Sequence, residues 1–121
     1  MAKRKKPTKD EEWRDDCVKL LKRARWLNDW EEDFLAEKVA NEDAWTQPRE
    51  EVTNKIRHQT NLVGSIGGHR VSDLIVSLMA CKKHLDDDEE EFVERLHQEG
   101  HEYVGWRDAI RLVRLAQRFA I

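Results

Sequence analysis

The side chains with the clearest capacity for chemistry are four arginines near the C-terminus. They are spaced i, i+4, i+7 and i+11, and at 100° per residue of an α-helix they fall within an arc of roughly 60°. The stripe consists of Arg107, Arg111, Arg114 and Arg118. It would run about 16 Å along a helix axis at 1.5 Å per residue, a length that could follow several phosphates of a nucleic acid.

An acidic run just before this stripe supports a different interpretation. Seven of the nine residues from Asp86 to Glu94 are acidic. If two antiparallel helices are joined by a short connection from Gly100 to Gly105, these carboxylates would meet the arginines in ion pairs that each contribute little at a surface. Both alternatives stay open at this point: the stripe pairs internally, or it faces a ligand.

The sequence predicts neither a metal site nor a cofactor site. The acidic run lacks the glycine and the alternating ligand positions of an EF-hand loop. His97 and His101 are four residues apart, but Gln98 stands where a zinc protease motif needs a glutamate. Gly64 and Gly67 have the spacing of a KH-domain loop, but that domain needs a sheet. We interpret the glycine-rich stretch 64–70 as a flexible loop between two helices.

Motifs of enzyme chemistry are missing. The chain has no Gly-x-Ser-x-Gly motif, no acidic pair stands apart from the general acid load, and neither Cys17 nor Cys81 has a catalytic setting. The small size and high charge content of this helical chain also disfavour a concave apolar substrate pocket. We therefore predict a non-enzymatic protein without a small-molecule substrate.

Cysteine usage and hydropathy indicate the compartment. The two cysteines lie far apart with no Cys-x-x-Cys, which fits neither a zinc framework nor a disulfide scaffold. No apolar run approaches the roughly 20 residues that span a bilayer, and Lys3 to Lys6 is not followed by the apolar core of a signal peptide. We expect a cytoplasmic protein without a membrane segment.

The elements that must position these side chains are helices. The chain has 121 residues, 39% of them charged, with only two prolines and five glycines. Most of its charged residues are strong helix formers, and no run alternates apolar and polar residues over the length of a strand. We predict an all-α fold, a compact bundle of five or six helices. Residues 10–121 would form a single domain after a disordered basic tail at residues 1–9.

A second basic cluster lies at the end of the first predicted helix, which runs from Asp10 to about Trp26. The cluster consists of Lys19, Lys22 and Arg23, and the acids of this helix lie at its other end. The helix dipole favours this arrangement, so the cluster has a structural explanation. A patch that faces a ligand is the alternative.

The next two predicted helices resemble a known module. Residues 27–35 read Leu-Asn-Asp-Trp-Glu-Glu-Asp-Phe-Leu, and residues 46–52 read Thr-Gln-Pro-Arg-Glu-Glu-Val. Together with Lys55 and Ile56 they resemble a two-helix module of small phage and plasmid proteins, some of them linked to replication. The chain departs from that pattern at Arg49 and Glu50, and the cysteine-rich neighbour of the module is absent. The resemblance implies a mobile-element origin rather than a biochemical activity. Asn28 and Glu31 also have the spacing of a capping box.

The last predicted helix, which opens at Trp106, is apolar around most of its circumference. A helix of this kind must be buried, inside the domain or against another chain. Its candidate interface residues are Trp106, Ile110, Val113 and Phe119.

Two hypotheses of function follow. The first is a protein-interaction role, as a homo-oligomer such as a dimer, as an assembly subunit or as an inhibitor; five tryptophans support it, since aromatic anchors are typical of interfaces. The alternative is a nucleic-acid-associated accessory protein that uses the arginine stripe and the basic N-terminus. The formal charge of −3 favours the protein partner.

Overall fold

The computed structural model of the protein describes residues 7–121. Over these residues the chain forms six α-helices and two pairs of two-residue strands, so the prediction of an all-α fold with five or six helices is confirmed. Most of the predicted tail, residues 1–6, lies outside the described residues. Near the end of the predicted tail, the hydroxyl of Thr8 accepts a hydrogen bond from the Glu11 backbone N–H, and the first helix begins at Lys9.

The chain divides into two compact units, residues 1–60 and residues 61–121. The single domain expected from the length of the chain stays a prediction. Each candidate surface consists of residues of one unit.

The first unit contains three helices, α1 (Lys9–Leu21), α2 (Asp29–Ala40) and α3 (Gln47–Thr60), with a 3₁₀ turn between α1 and α2. The predicted capping box is confirmed: the Asn28 side chain accepts from the Glu31 N–H, and the Glu31 carboxylate accepts from the Asn28 N–H. This exchange satisfies two N–H groups that the first turn of α2 leaves without helical partners. The core contains Trp13, Cys17, Leu20, Leu35 and Ile56.

The second unit contains α4 (Val71–Ala80), α5 (Asp87–Glu99) and α6 (Trp106–Arg118). Strand β1 (Leu62–Val63) pairs antiparallel with β4 (Val104–Gly105), and β2 (Ser65–Ile66) pairs with β3 (His69–Arg70). The sequence indicated none of these four strands. Two-residue strands are too short to show the alternation of apolar and polar residues that predicts a strand.

The glycine-rich stretch is a hairpin rather than a flexible loop between helices. Gly67 and Gly68 connect β2 to β3 and have φ angles of 58° and 80°. A two-residue hairpin loop of this kind needs positive φ at both positions, which glycine adopts without a steric cost. The hairpin leads directly into α4, whose first N–H, that of Val71, donates to the carbonyl of Gly64.

The core of the second unit lies between α4, α5 and α6. The buried residues of α6 are Ala109, Leu112, Leu115 and Ala116, and they share one face of the helix. The buried side chains of α4 are Val71, Leu74, Ile75 and Leu78, and those of α5 are Val93 and Leu96. Burial of the apolar part of α6 therefore occurs within its own unit, one of the two alternatives that the sequence left open.

Candidate functional site

The arginine stripe lies on α6, and two of its members contact α5. Arg118 donates to both carboxylate oxygens of Glu89, at 2.6 and 2.9 Å. The guanidinium of Arg111 lies 4.2 Å from the ring centroid of Phe92. The internal pairing anticipated from the acidic run is present for Arg118, and Arg111 stacks on an aromatic ring of the same helix.

The other two arginines differ from these. Arg114 is exposed and forms no ion pair within residues 7–121. Arg107 is half-buried. The stripe is therefore not a uniform row of solvent-facing guanidinium groups, since its second and last members are engaged with α5.

The ion pair with Arg118 affects the titration of Glu89. The hydrogen bonds from Arg118 and then from the Asp86 backbone N–H lower the pKa of Glu89 below its ordinary value. A carboxylate with a depressed pKa stabilises the fold above its unfolded pKa, and this contribution is lost as the pH falls through the folded pKa. The contribution is small, because the Arg118 side chain is about half exposed to solvent and the pair is screened by salt.

This effect gives a direct prediction for NMR. We expect the Arg118→Gln variant to raise the pKa of Glu89 part of the way to its ordinary value, because the hydrogen bond from Asp86 remains. A carbon-detected pH titration of the Glu89 carboxyl measures this pKa. The control Arg114→Gln removes an equal charge from the same helix and should leave the pKa almost unchanged. An equal rise of the Glu89 pKa in both variants would show that net charge, and not the ion pair, determines this pKa.

The basic cluster of α1 does not form a common patch. Arg23 donates to the carbonyl of Arg57 and to the hydroxyl of Thr60, so its charge serves the C-terminal end of α3. Lys19 pairs with Asp15 at 3.1 Å, and this hydrogen bond and the charge of Asp15 raise its pKa. Lys22 is exposed.

The four candidate interface residues of α6 are all half-buried: Trp106, Ile110, Val113 and Phe119. A β-carbon on Gly67 would lie 3.6 Å from Cγ2 of Val113, so Val113 packs beneath the hairpin. The ring of Phe119 lies 6.3 Å from that of His84. Contacts inside the second unit therefore cover part of the Val113 and Phe119 side chains.

A groove that the sequence did not reveal runs along α4. Its first part has a volume of about 470 Å³ and its second part about 160 Å³, and the two parts are adjacent because both are lined by Ser72 and Glu102. The first part is further lined by Gly64, Ser65, Arg70 and Tyr103. The second part is further lined by Ile75, Val76, Leu96, His97, Gly100 and His101. We call the whole depression the α4 groove.

Each part of the α4 groove carries one large exposed apolar side chain. Tyr103 is 59% exposed in the first part and Val76 is 61% exposed in the second. The ring of Tyr103 lies against the backbone of Gly64, since a β-carbon there would be only 2.8 Å from its Cε1 atom. Gly64 is therefore needed for the ring to take this position.

The groove also holds two charged groups that have no ion-pair partner among residues 7–121. Arg70 and Glu102 both line its first part, and neither forms an ion pair or a side-chain hydrogen bond within the described part of the chain. Arg70 also precedes the first turn of α4, where no side chain caps the helix. A ligand with a carboxylate would find a guanidinium and a helix N-terminus together here.

Residues 7–121 contain no group of three His, Cys, Asp or Glu side chains that could hold a metal ion. His101 contacts the Glu99 carboxylate at 2.6 Å. No helix among these residues has both the length and the apolar character needed to cross a membrane. Cys17 and Cys81 are free thiols.

No known protein family, curated protein or solved structure matches the chain. The resemblance of residues 27–56 to the phage and plasmid module stays a prediction.

Proposed function

We propose that this protein is a binding protein, not an enzyme, and that it holds a segment of a partner protein in the α4 groove. The segment would place an apolar side chain against Val76 or Tyr103 and a carboxylate near Arg70. The observation that carries the proposal is the exposure of Tyr103 and Val76, each close to 60%, in two adjacent depressions that share Ser72 and Glu102.

Burial of these two side chains would provide the apolar part of the affinity. Tyrosine is enriched among the residues that dominate binding energy, because it has a large rigid surface and a polar hydroxyl. Tyr103 is positioned in advance by Gly64, so little conformational entropy is lost when a partner covers the ring. The groove thus combines two apolar anchors with a polar rim.

Charge provides the specific part of the interaction. The guanidinium of Arg70 can donate two parallel hydrogen bonds to a carboxylate. Glu102, in the same part of the groove, would repel a segment that carries a second acid close by and would favour one with a hydrogen-bond donor there. We therefore assign the partner segment an apolar residue, one acidic group and a donor.

The alternative proposal is association with nucleic acid through the arginine stripe, for which the exposed Arg114 is the best candidate. Residues 61–121 carry eight basic and eleven acidic side chains, and Arg118 is paired with Glu89, so this alternative has weaker support. Binding that is absent at low ionic strength, or that does not weaken steeply as salt rises, would rule it out.

Photo-crosslinking in cells of the native host tests the main proposal. A photoreactive amino acid at position 76 or 103 should give one discrete protein adduct, identified by mass spectrometry, because both positions lie in the groove. The control is position 117, which is exposed on α6 and does not line the groove. The same adducts at all three positions, or none at 76 and 103, would contradict the proposal. An adduct with a second copy would identify the function as self-association.

A cytoplasmic location and a mobile-element origin belong to the same proposal. Genes of phage or plasmid replication next to the coding sequence would support the origin. A neighbourhood of unrelated chromosomal genes would count against it.

A further inference from the structure

A second surface of a different kind lies on α2, in the first unit. Trp30 is 60% exposed, and its ring stacks on that of Phe34 with centroids 5.4 Å apart and an interplanar angle of 15°. A tryptophan this exposed leaves a large apolar face in water, which is unusual unless something covers it. The stack holds the indole in place, so the aromatic surface is ready before any ligand arrives.

Two carboxylates flank this aromatic pair. Asp33 and Glu37 follow Trp30 by three and seven residues, so with Phe34 they share an arc of about 100° on the helix. Both are exposed. Asp33 has no ion pair or side-chain hydrogen bond within residues 7–121, whereas Glu37 contacts the Lys38 ammonium at 3.5 Å. We call these four residues the acidic aromatic face of α2.

A cation already lies on part of this face. The ammonium of Lys38 is 5.3 Å from the ring centroid of Phe34, and it is also held by Asp43 at 3.3 Å. Aromatic faces attract cations through their quadrupole, and tryptophan does so more strongly than phenylalanine. Trp30 offers the stronger ring of the pair, and the carboxylate of Asp33 lies one helical turn away.

We propose that the acidic aromatic face binds an arginine- or lysine-bearing segment of a partner protein. A guanidinium is flat, so it can stack on the indole of Trp30 while its N–H groups donate to Asp33. Charge complementarity selects this occupant: an acidic segment would be repelled by the Asp33 carboxylate, and a purely apolar one would leave Asp33 without a partner. The surface is independent of the α4 groove, because every residue that forms it belongs to the first unit.

Tetra-arginine amide is the probe, and the indole N–H signal of Trp30 in a ¹⁵N correlation spectrum of the full chain is the readout. The signal is assigned by its loss in the Trp30→Leu variant, which should fold because the side chain is exposed. We expect a saturable shift that diminishes as salt rises. Tetraglutamate should leave the signal unchanged. No saturable shift, or an equal shift with tetraglutamate, would overturn the proposal.

Matched variants separate this face from general charge attraction. Asp33→Asn should weaken the binding of tetra-arginine amide about threefold, in line with exposed ion pairs. Glu32→Gln removes the same charge from a residue that lies roughly 160° away from Trp30 on the helix, and it should leave affinity unchanged. An equal loss in the two variants would overturn the proposal.

The chain's own basic residues Lys3 to Lys6 are a competing occupant. The variant in which all four are glutamine tests this in the full-length chain without peptide. An unchanged Trp30 indole signal supports an external partner. A shifted signal would overturn the partner assignment in favour of the N-terminus of the same molecule.

Discussion

Replacement of Leu112 by alanine is expected to lower the free energy of unfolding by about 2–5 kcal/mol. Leu112 is fully buried on α6, the helix that packs against α4 and the short strands of the second unit. The loss combines the transfer free energy of the missing carbons with the cost of the cavity they leave. Since small domains are stable by only about 5–15 kcal/mol, this one change removes a large share of the total.

Urea denaturation followed by circular dichroism measures this loss. Leu62→Ala is the matched control, because it removes the same atoms from a side chain that is 50% exposed in the same unit. Its cost should stay below about 1 kcal/mol, as for most surface substitutions. If the two variants lost equal stability, α6 would not be the centre of the core of its unit.

The thiol of Cys17 is expected to contain about 100-fold less thiolate at pH 8 than a cysteine with an ordinary pKa. Burial, assisted by the negative charge of Asp16, raises its pKa from 9.0 to about 11. Because the thiolate is the nucleophile, alkylation by iodoacetamide should slow by at least this factor. The raised pKa also means that the stability supplied by the neutral thiol is lost as the pH rises above 9.0 toward the folded value.

A time course of alkylation, read by mass spectrometry in native buffer and in denaturant, measures the difference. Cys81 is the internal control, because it is only half-buried and should react first. In denaturant the two thiols should react at similar rates. Similar rates in native buffer would show that the first unit opens often enough to expose Cys17.

The parts of the fold that could be predicted from the sequence depend on local chemistry. Asn28 and Glu31 form a capping box because both partners lie within one turn of a helix. The acids that begin α5 include a second capping box, formed by Asp86 and Glu89, where the sequence indicated only a favourable dipole. The pairing of Arg118 with Glu89 was one of two open alternatives, because it depends on how α5 and α6 pack.

The parts that could not be predicted depend on residues that are distant in the sequence. Tyr103, Gly64 and Val76 belong to three different segments, and no local pattern places them along one groove. Helical spacing puts Trp30 and Phe34 on one face of α2, but the same spacing is typical of a buried face. Exposure distinguishes the two cases, and it follows from tertiary packing.

The role of Arg23 could not be predicted from the sequence either. The end of α1 is basic, which suits both the helix dipole and a ligand-facing patch. Arg23 instead donates hydrogen bonds to the Arg57 carbonyl and the Thr60 hydroxyl at the C-terminal end of α3, because its side chain is long enough to reach a neighbouring helix. This contact depends on how α1 and α3 pack, so the sequence of α1 does not show it.

The dissociation constant of the crosslinked partner, measured by calorimetry for the wild-type chain and the Tyr103→Ala variant, tests the central claim most directly. We predict that Tyr103→Ala raises the dissociation constant at least about 30-fold, since the loss of an interface hot spot costs about 2 kcal/mol or more. Gly64→Ala should weaken binding too, because its β-carbon would displace the Tyr103 ring. Gln117→Ala, outside the groove, should bind as the wild type does. Equal dissociation constants for the wild type and Tyr103→Ala would contradict the assignment of the α4 groove as the binding site.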